Sequence, residues 1–197
     1  MAPRLGRLAL PISDELVAAI EGFDCVGDKR ADDDVARNVC DFLRTHRYRS
    51  GVEHGLTATY LMLDPETSPL LVGYVTLGLD KLRLTKGEMK KFGAELEFSD
   101  FGAIRIQMIG VDCRVQEGGY GKALLRYVTE RARRVSTAVP ARFLLADANI
   151  REVDWYRRRG FVPNLSERAR SRDPERTVSM RLDLELPPVA SEDELAA

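Results

Sequence analysis

The sequence predicts an α+β protein of α/β/α-like layering, with a mixed central β-sheet flanked by helices. Three stretches predict it. "AIRIQMIGV" (103–111) is β-branched and alternating, with Ile104, Ile106 and Met108 on one face, as in a half-buried strand. "KALLRYVTERARRV" (122–135) repeats Leu124, Val128, Ala132 and Val135 at helical spacing. "RFLLADA" (142–148) has a continuous apolar centre, as in a strand covered on both faces. A strand, a glycine-rich loop, a helix and a strand in that order predict a right-handed crossover between parallel strands.

The remaining elements follow along the chain. "SDELVAAIE" (13–21) reads as a short helix with Ser13 as N-cap and acids in its first turn. After the polar turn "FDCVGDKRADDD" (23–34), residues 33–47 form a helix with Val35, Val39, Phe42 and Leu43 on one stripe. "TATYLMLD" (57–64) and "LLVGYVTLG" (70–78) flank "PETSP" and predict a β-hairpin. The charged stretch 79–100 is given a helix across 86–94. Downstream, "REVDWYRRR" is a short helix ended by Gly160, and "RTVSMRLDLEL" (176–186) alternates as a closing strand.

Length and composition bound the function. The 197 residues fit one domain, 1–186, followed by the acidic, proline-led tail 187–197, read as disordered. A chain this long buries enough surface to fold without disulfide or metal staples. With 30 basic against 31 acidic residues, the net charge of −1 argues against a dedicated nucleic-acid or membrane-surface binder. Cys25, Cys40 and Cys113 form no C-x-x-C pair and read as reduced thiols. His46 and His54 read as solvated and share no metal-ligand spacing with a cysteine, so no metal site is expected. The apolar run at the N-terminus is too short for a signal peptide, and no span approaches the roughly 18 apolar residues of a membrane helix. A cytoplasmic protein with no membrane partner is expected.

The chemistry concentrates in "VQEGGYGKALL" (115–125), which follows the strand 103–111 and opens the helix 122–135. A glycine-rich turn there gathers free backbone amides at the positive end of a helix dipole, a setting for phosphate or diphosphate. A Walker loop is excluded because Gly121-Lys122 is followed by Ala123, not by the Ser or Thr that would hold magnesium. A dinucleotide fingerprint is weak because Leu124 stands where its third glycine belongs. What remains is Q-x-x-G-x-G, given by Gln116, Glu117, Gly118, Gly119, Tyr120 and Gly121.

"IGVDCRVQEGGYGKALL" (109–125) resembles the acyl-CoA-binding motif of the GNAT superfamily of N-acyltransferases. Val111, Asp112, Gln116, Gly119, Gly121, Leu124 and Leu125 match; Cys113 replaces a proline and Glu117 a frequent glycine. A second match lies downstream, where Asn149, Trp155-Tyr156 and Gly160-Phe161 keep the spacing of N-x-x-A-x-x-F-Y-x-x-x-G-F, with Glu152 in place of the alanine.

The resemblance implies a GNAT fold and acetyl-CoA as co-substrate. The diphosphate would lie on Gln116–Gly121 with Lys122 and Arg126 nearby, and the pantetheine arm against the backbone of Ile109, Gly110 and Val111. Gln116 is expected to act through its backbone N–H, its side chain mattering little. Gly110 marks either a close approach or a mere strand ending. Asn149 caps the helix that follows, contacts the cofactor arm, or does both. Tyr156 either packs or protonates the departing thiolate, while Trp155 belongs to the core. Cys113 is read as an incidental small residue rather than a nucleophile.

The implied reaction is direct attack by a neutral primary amine on the thioester, in a ternary complex. Gln107 occupies a strand position where an acid could have served as base, which leaves water or a remote group such as Glu53. "FDC" (23–25), "CDFLRTHR", "TYLMLD" and "LLVGYVTLG" further resemble, in order and spacing, the GNAT toxins of bacterial toxin–antitoxin pairs, which acetylate the α-amine of aminoacyl-tRNA. The chain departs from them in its pI of about 6.2 and in Met108, where an arginine is common; Arg157–Arg159 with Arg168, Arg170 and Arg172 could still form a local basic patch. The acceptor is then an amine on a small molecule, a protein or aminoacyl-tRNA. A homodimer and an antitoxin are further partners the resemblance allows, and a non-catalytic acyl-CoA-binding module is the alternative to an enzyme.

Overall fold

The computed structural model describes residues 3–90, 99–166, 173 and 175–185. The strands are β1 (Arg4–Arg7), β2 (Thr57–Leu63), β3 (Leu71–Arg83), β4 (Asp100–Val111), β5 (Phe143–Asn149), β6 (Val162–Pro163) and β7 (Thr177–Asp183). They form one seven-stranded sheet in the order β1-β2-β3-β4-β5-β7-β6. The α-helices are α1 (Asp14–Glu21), α2 (Asp34–Arg44), α3 (Tyr48–Glu53), α4 (Lys86–Met89), α5 (Tyr120–Ser136) and α6 (Val153–Arg157). The chain groups into two compact units: Met1–Leu79 with Arg105–Glu130, and Asp80–Ile104 with Arg131–Ala197.

In the first unit, α1 begins where its cap is expected: Leu16 N–H donates to Ser13 Oγ at 3.3 Å. α2 is capped by Asp33, whose carboxylate accepts from Ala36 N at 3.0 Å. Its buried stripe is Ala36, Cys40 and Leu43, with Val39 and Phe42 at its flanks. Val35 is only half-buried, while Ala36 and Cys40 are buried. Phe23, Tyr48 and Tyr74 fill the middle of this core; Phe23 meets Tyr74 edge-on at 5.5 Å, and the Tyr74 hydroxyl donates to Val39 O.

The β2–β3 hairpin is antiparallel as expected, with a bulge between Met62 and Leu63. Thr59 and Thr76 face each other across it, and their buried hydroxyls satisfy one another at 2.9 Å. Three elements went unread in the sequence, among them the two-residue β6. β1 is a four-residue edge strand antiparallel to β2, and α3 carries a single wholly buried side chain, Tyr48, too little for a periodic signal. His46 is half-buried rather than solvated, its Nδ1 lying 3.2 Å from the Tyr48 hydroxyl.

In the second unit, β5 pairs antiparallel with β7 from Phe143↔Asp183 to Asn149↔Thr177, and β7 pairs with β6 at Val162↔Arg181. Leu82, Leu84, Ala103, Phe143 and Leu145 form its core. α4 starts at a capping box of Thr85 and Glu88. The buried Glu88 also forms an ion pair with Arg181, Oε1 to Nη2 2.6 Å. The helix expected across 86–94 reaches Met89, and residues 91–98 lie outside the described ones, as does the tail 187–197. Gly160 follows α6 at φ +83°, the left-handed position that ends a helix. On α5, Leu124, Val128 and Ala132 are fully buried, but Val135 is exposed, so the apolar stripe stops one turn short of the expected end.

Candidate active site

β4 ends at Val111 and a 3₁₀ turn, Cys113–Gly118, carries the chain to Gly119, which adopts φ +78°. That left-handed conformation suits glycine, and nothing lies within 4 Å of where its Cβ would stand. α5 then starts at Tyr120, so the first-turn amides that a helix leaves without intrahelical acceptors open beside Gly119. Gln116, Glu117, Gly118, Gly119 and Lys122 are exposed, and Tyr120 and Gly121 half-buried. An open glycine and a 17-residue helix aimed at one spot fit a diphosphate. Glu117 is exposed, as are the neighbouring Gly118 and Gly119.

The glycines divide into distinct jobs. A Cβ on Gly118 would lie 2.8 Å from the Tyr120 ring, which folds back over the turn. The Tyr120 hydroxyl reaches the buried Asp64 at 2.8 Å, tying the turn to the end of β2. A Cβ on Gly110 would lie 3.1 Å from Val39 Cγ1 and 3.2 Å from the Tyr74 ring. The close approach expected at Gly110 is therefore made at least by the protein's own α2 and β3. Gly73 does the same from β3, where a Cβ would meet Leu124 Cδ1 at 2.8 Å and Gly110 O at 2.9 Å. Leu124, standing where a dinucleotide fold needs glycine, packs α5 against the sheet through that gap.

Asp112 is wholly buried and organises the turn. Its carboxylate accepts from Arg114 N, from Arg114 Nε and Nη2 at 2.7 Å each, and from Asp24 N at 3.0 Å. Cys113 N donates to Asp24 O at 2.6 Å. The Asp24 carboxyl is held below the usual range chiefly by the Val26 backbone amide, whose bond outweighs its burial. Burial is the first cause that pushes the Cys113 thiol up, and Asp24 adds to it, which agrees with a thiol that is no nucleophile. The Gln116 expectation is corrected: its side-chain amide donates to Cys25 O at 3.0 Å and to Val111 O at 3.2 Å, so the side chain secures the turn. Gln107 is exposed, with Gly78 leaving room for its amide. Ile109 and Val111 are half-buried at the strand's end.

In the second unit, Asn149 ends β5 and its side chain accepts from Arg151 N at 3.0 Å, so it caps the turn Ile150–Glu152. Tyr156 on α6 is buried, edge-on to Trp155 at 4.9 Å and to Phe161 at 5.2 Å. Burial pushes its phenol up, the Glu152 carboxylate adds to this and Arg159 opposes it, so the hydroxyl keeps its proton at neutral pH. Trp155 is not core. It is half-buried and serves as a platform for Arg159, whose guanidinium lies 3.9 Å over the ring and donates to Trp155 O at 2.7 Å. The Trp–x–x–x–Arg spacing on a helix could have signalled that pair. Arg159 Nε is buried with no partner among the described residues. Burial, then the neighbouring Arg158, pulls the Arg159 pKa down. Arg168, Arg170 and Arg172 lie outside the described residues. Among those described, no group of three or more His, Cys, Asp or Glu is placed to hold a metal, and no helix is long and apolar enough to cross a membrane.

No family model matches the sequence, and no curated protein matches it. Solved structures match over nearly its whole length. A bacterial toxin superposes at TM-score 0.70 with 22% identity over 93% of each chain. A tyrosine-to-phenylalanine mutant of KacT superposes at 0.69 with 22% identity, over 94% of this chain and 96% of that one. The chain has the GNAT fold. AtaT complexed with acetyl-methionyl-tRNA superposes at 0.66 with 19% identity, over 90% of this chain and 94% of the other, and AtaTR has also been solved with acetyl-CoA. Within the GNAT fold, β4, the glycine turn and α5 here form the strand–loop–helix unit read from the sequence.

Proposed function

We propose that the chain is an N-acetyltransferase that moves an acetyl group from acetyl-CoA to a primary amine by direct attack in a ternary complex. The observation that carries this is the glycine turn: Gly119 left-handed and open, with the first amides of a long helix beside it, at the end of a strand. When bound, acetyl-CoA supplies the thioester. The diphosphate is held by the backbone of Gln116–Gly121 with Lys122, and the pantetheine arm runs along Ile109, Gly110 and Val111. Asn149 holds the turn that follows β5 as its N-cap. Donors at the strand end stabilise charge developing on the carbonyl oxygen. As the new C–N bond forms and the C–S bond breaks, Tyr156 gives its proton to the sulfur. A phenol kept protonated by burial suits that role only because the same desolvation also raises the proton affinity of the thiolate. The amine proton leaves to water.

A second reading makes the acceptor the α-amine of aminoacyl-tRNA. The whole-length likeness to toxins, one of them solved with acetyl-methionyl-tRNA, favours it. Arg157 and Arg158, exposed beside Tyr156, would meet phosphates despite the neutral overall charge. Inducible expression in bacteria, scored for growth beside mass analysis of aminoacyl-tRNA, tests both readings. Growth arrest with N-acetylated aminoacyl-tRNA, abolished by Tyr156→Phe, supports the tRNA acceptor. Harmless expression with turnover on a small amine or protein leaves the acetyltransferase reading alone. Acetyl-CoA binding without turnover on any amine reduces the protein to a binding module.

A further inference from the structure

The loop joining α1 to α2 is sewn onto the turn that follows β4. Gly22, which caps the C-terminus of α1, gives its carbonyl to Arg114 Nη2 at 3.0 Å. Asp24 receives Cys113 N on its carbonyl and donates its own N–H to Asp112 Oδ2. Cys25 O accepts from the Gln116 amide. Gly27, at φ +57°, lets the loop close on Cys113, whose Cβ would stand 3.0 Å from a Cβ at that position. The hydrogen bonds join residues about ninety positions apart in the chain, with separations of 88 to 92. Arg114 joins three parts of this clasp: its own turn, the Asp112 carboxylate it grips in a two-point fork, and the end of α1. A charge-assisted fork is strong and orientation-specific, and a carbonyl at a helix C-terminus welcomes a cation.

We infer that Arg114 is a positioning residue for the acyl-CoA cradle, holding the turn before Gly119 in its binding geometry by clasping the α1–α2 loop to Asp112. The inference rests on the acetyl-CoA reading above. The carboxylate of Asp112 is fully buried while the Arg114 side chain is 48% exposed, so the guanidinium neutralises an interior charge from the rim, a charge that lysine keeps and glutamine does not. Ligand contact falls on Ile109–Val111 and Gln116–Lys122, on either side of the clasped residues 112–114, and Arg114 itself need touch no ligand. Without the fork, the turn would have to be ordered at the moment of binding, at roughly 1–2 kcal/mol per backbone residue. Lysine keeps the charge but cannot make the fork. By reciprocity, a ligand that needs the ordered turn must also tighten the α1–α2 loop, where Cys25 is a buried thiol outside the cradle.

The test compares wild type, Arg114→Lys and Arg114→Gln for acetyl-CoA affinity by calorimetry and for the labelling rate of Cys25 by a thiol reagent, mapped by peptide mass. Circular dichroism and melting temperature establish that each variant is folded. Both variants should bind acetyl-CoA about tenfold more weakly, as loss of one charge-assisted fork implies. KM for acetyl-CoA should rise with kcat little changed, and Cys25 should label faster and be protected again by saturating acetyl-CoA. Wild type that binds acetyl-CoA while both folded variants bind it equally well overturns the inference and leaves the proposed function standing. The same holds if kcat falls with KM unchanged. Wild type that does not bind acetyl-CoA overturns both.

Discussion

Tyr156 carries a hydroxyl that its packing does not require, since the ring is held by Trp155 and Phe161. Tyr156→Phe should therefore keep the melting temperature within a few degrees while cutting turnover by about 100-fold or more, the usual size of a lost general acid. A fall in stability matching the fall in rate would make the residue a packing element only. Gly119→Ala separates geometry from space: the site is open, so the substitution meets no atom, yet φ +78° costs a β-carbon about 1 kcal/mol. Denaturant melts should show that small loss, and calorimetry a weaker affinity for acetyl-CoA. Glu117→Gly should change affinity little, since the exposed Glu117 side chain can turn away from a bound diphosphate; a marked gain in affinity on calorimetry would place its carboxylate in the cradle. At this scale the sequence marked the turn by its glycines and its register. It did not reveal what the Gln116 side chain does, because Cys25 lies 91 positions from Gln116 and pattern reading has no access to such partners; the Trp155 pairing with Arg159, four positions on, was within its reach.

Among the elements, α5 packs on β3 where Leu124 meets Gly73. Leu124 is fully buried and fills the space Gly73 leaves open, so Leu124→Ala should destabilise by about 2–5 kcal/mol in chemical denaturation. A loss below 1 kcal/mol would mean that α5 is held elsewhere. β4, α5 and β5 were legible because each is long enough for its period to rise above noise. α3 was not, since one buried tyrosine in six residues has no period, and β1 was not, since an exposed four-residue edge strand is defined by its pairing with β2. The α2 stripe was read at Val39, Phe42 and Leu43 but missed Ala36 and Cys40, because alanine and cysteine are weak hydrophobic signals.

For the molecule as a whole, several carboxylates are tuned for neutral pH. The Arg83 guanidinium hydrogen-bonded to Asp100 brings that carboxyl down to about 2. Glu88 is also lowered: burial alone would raise it, but the Thr85 backbone and hydroxyl and then Arg181 outweigh that. A carboxyl whose folded pKa lies below its unfolded value contributes stability above the unfolded pKa and loses it as pH falls toward the folded one. Thermal stability should therefore decline as pH drops from about 4 toward 2, and Asp100→Asn should flatten that decline. An unchanged acid limb in the variant would remove Asp100 from the explanation.

The GNAT fold was readable because two motifs fell on the elements that position them; the acceptor was not, since no residue pattern in the chain spells an amine's identity. Amide hydrogen exchange with and without acetyl-CoA directly tests the acetyl-CoA site on which the proposed activity depends. Protection concentrated at Ile109–Val111 and Gln116–Lys122 is the expected result. Exchange unchanged at Gln116–Gly121 under saturating acetyl-CoA, with no thermal shift, would contradict it.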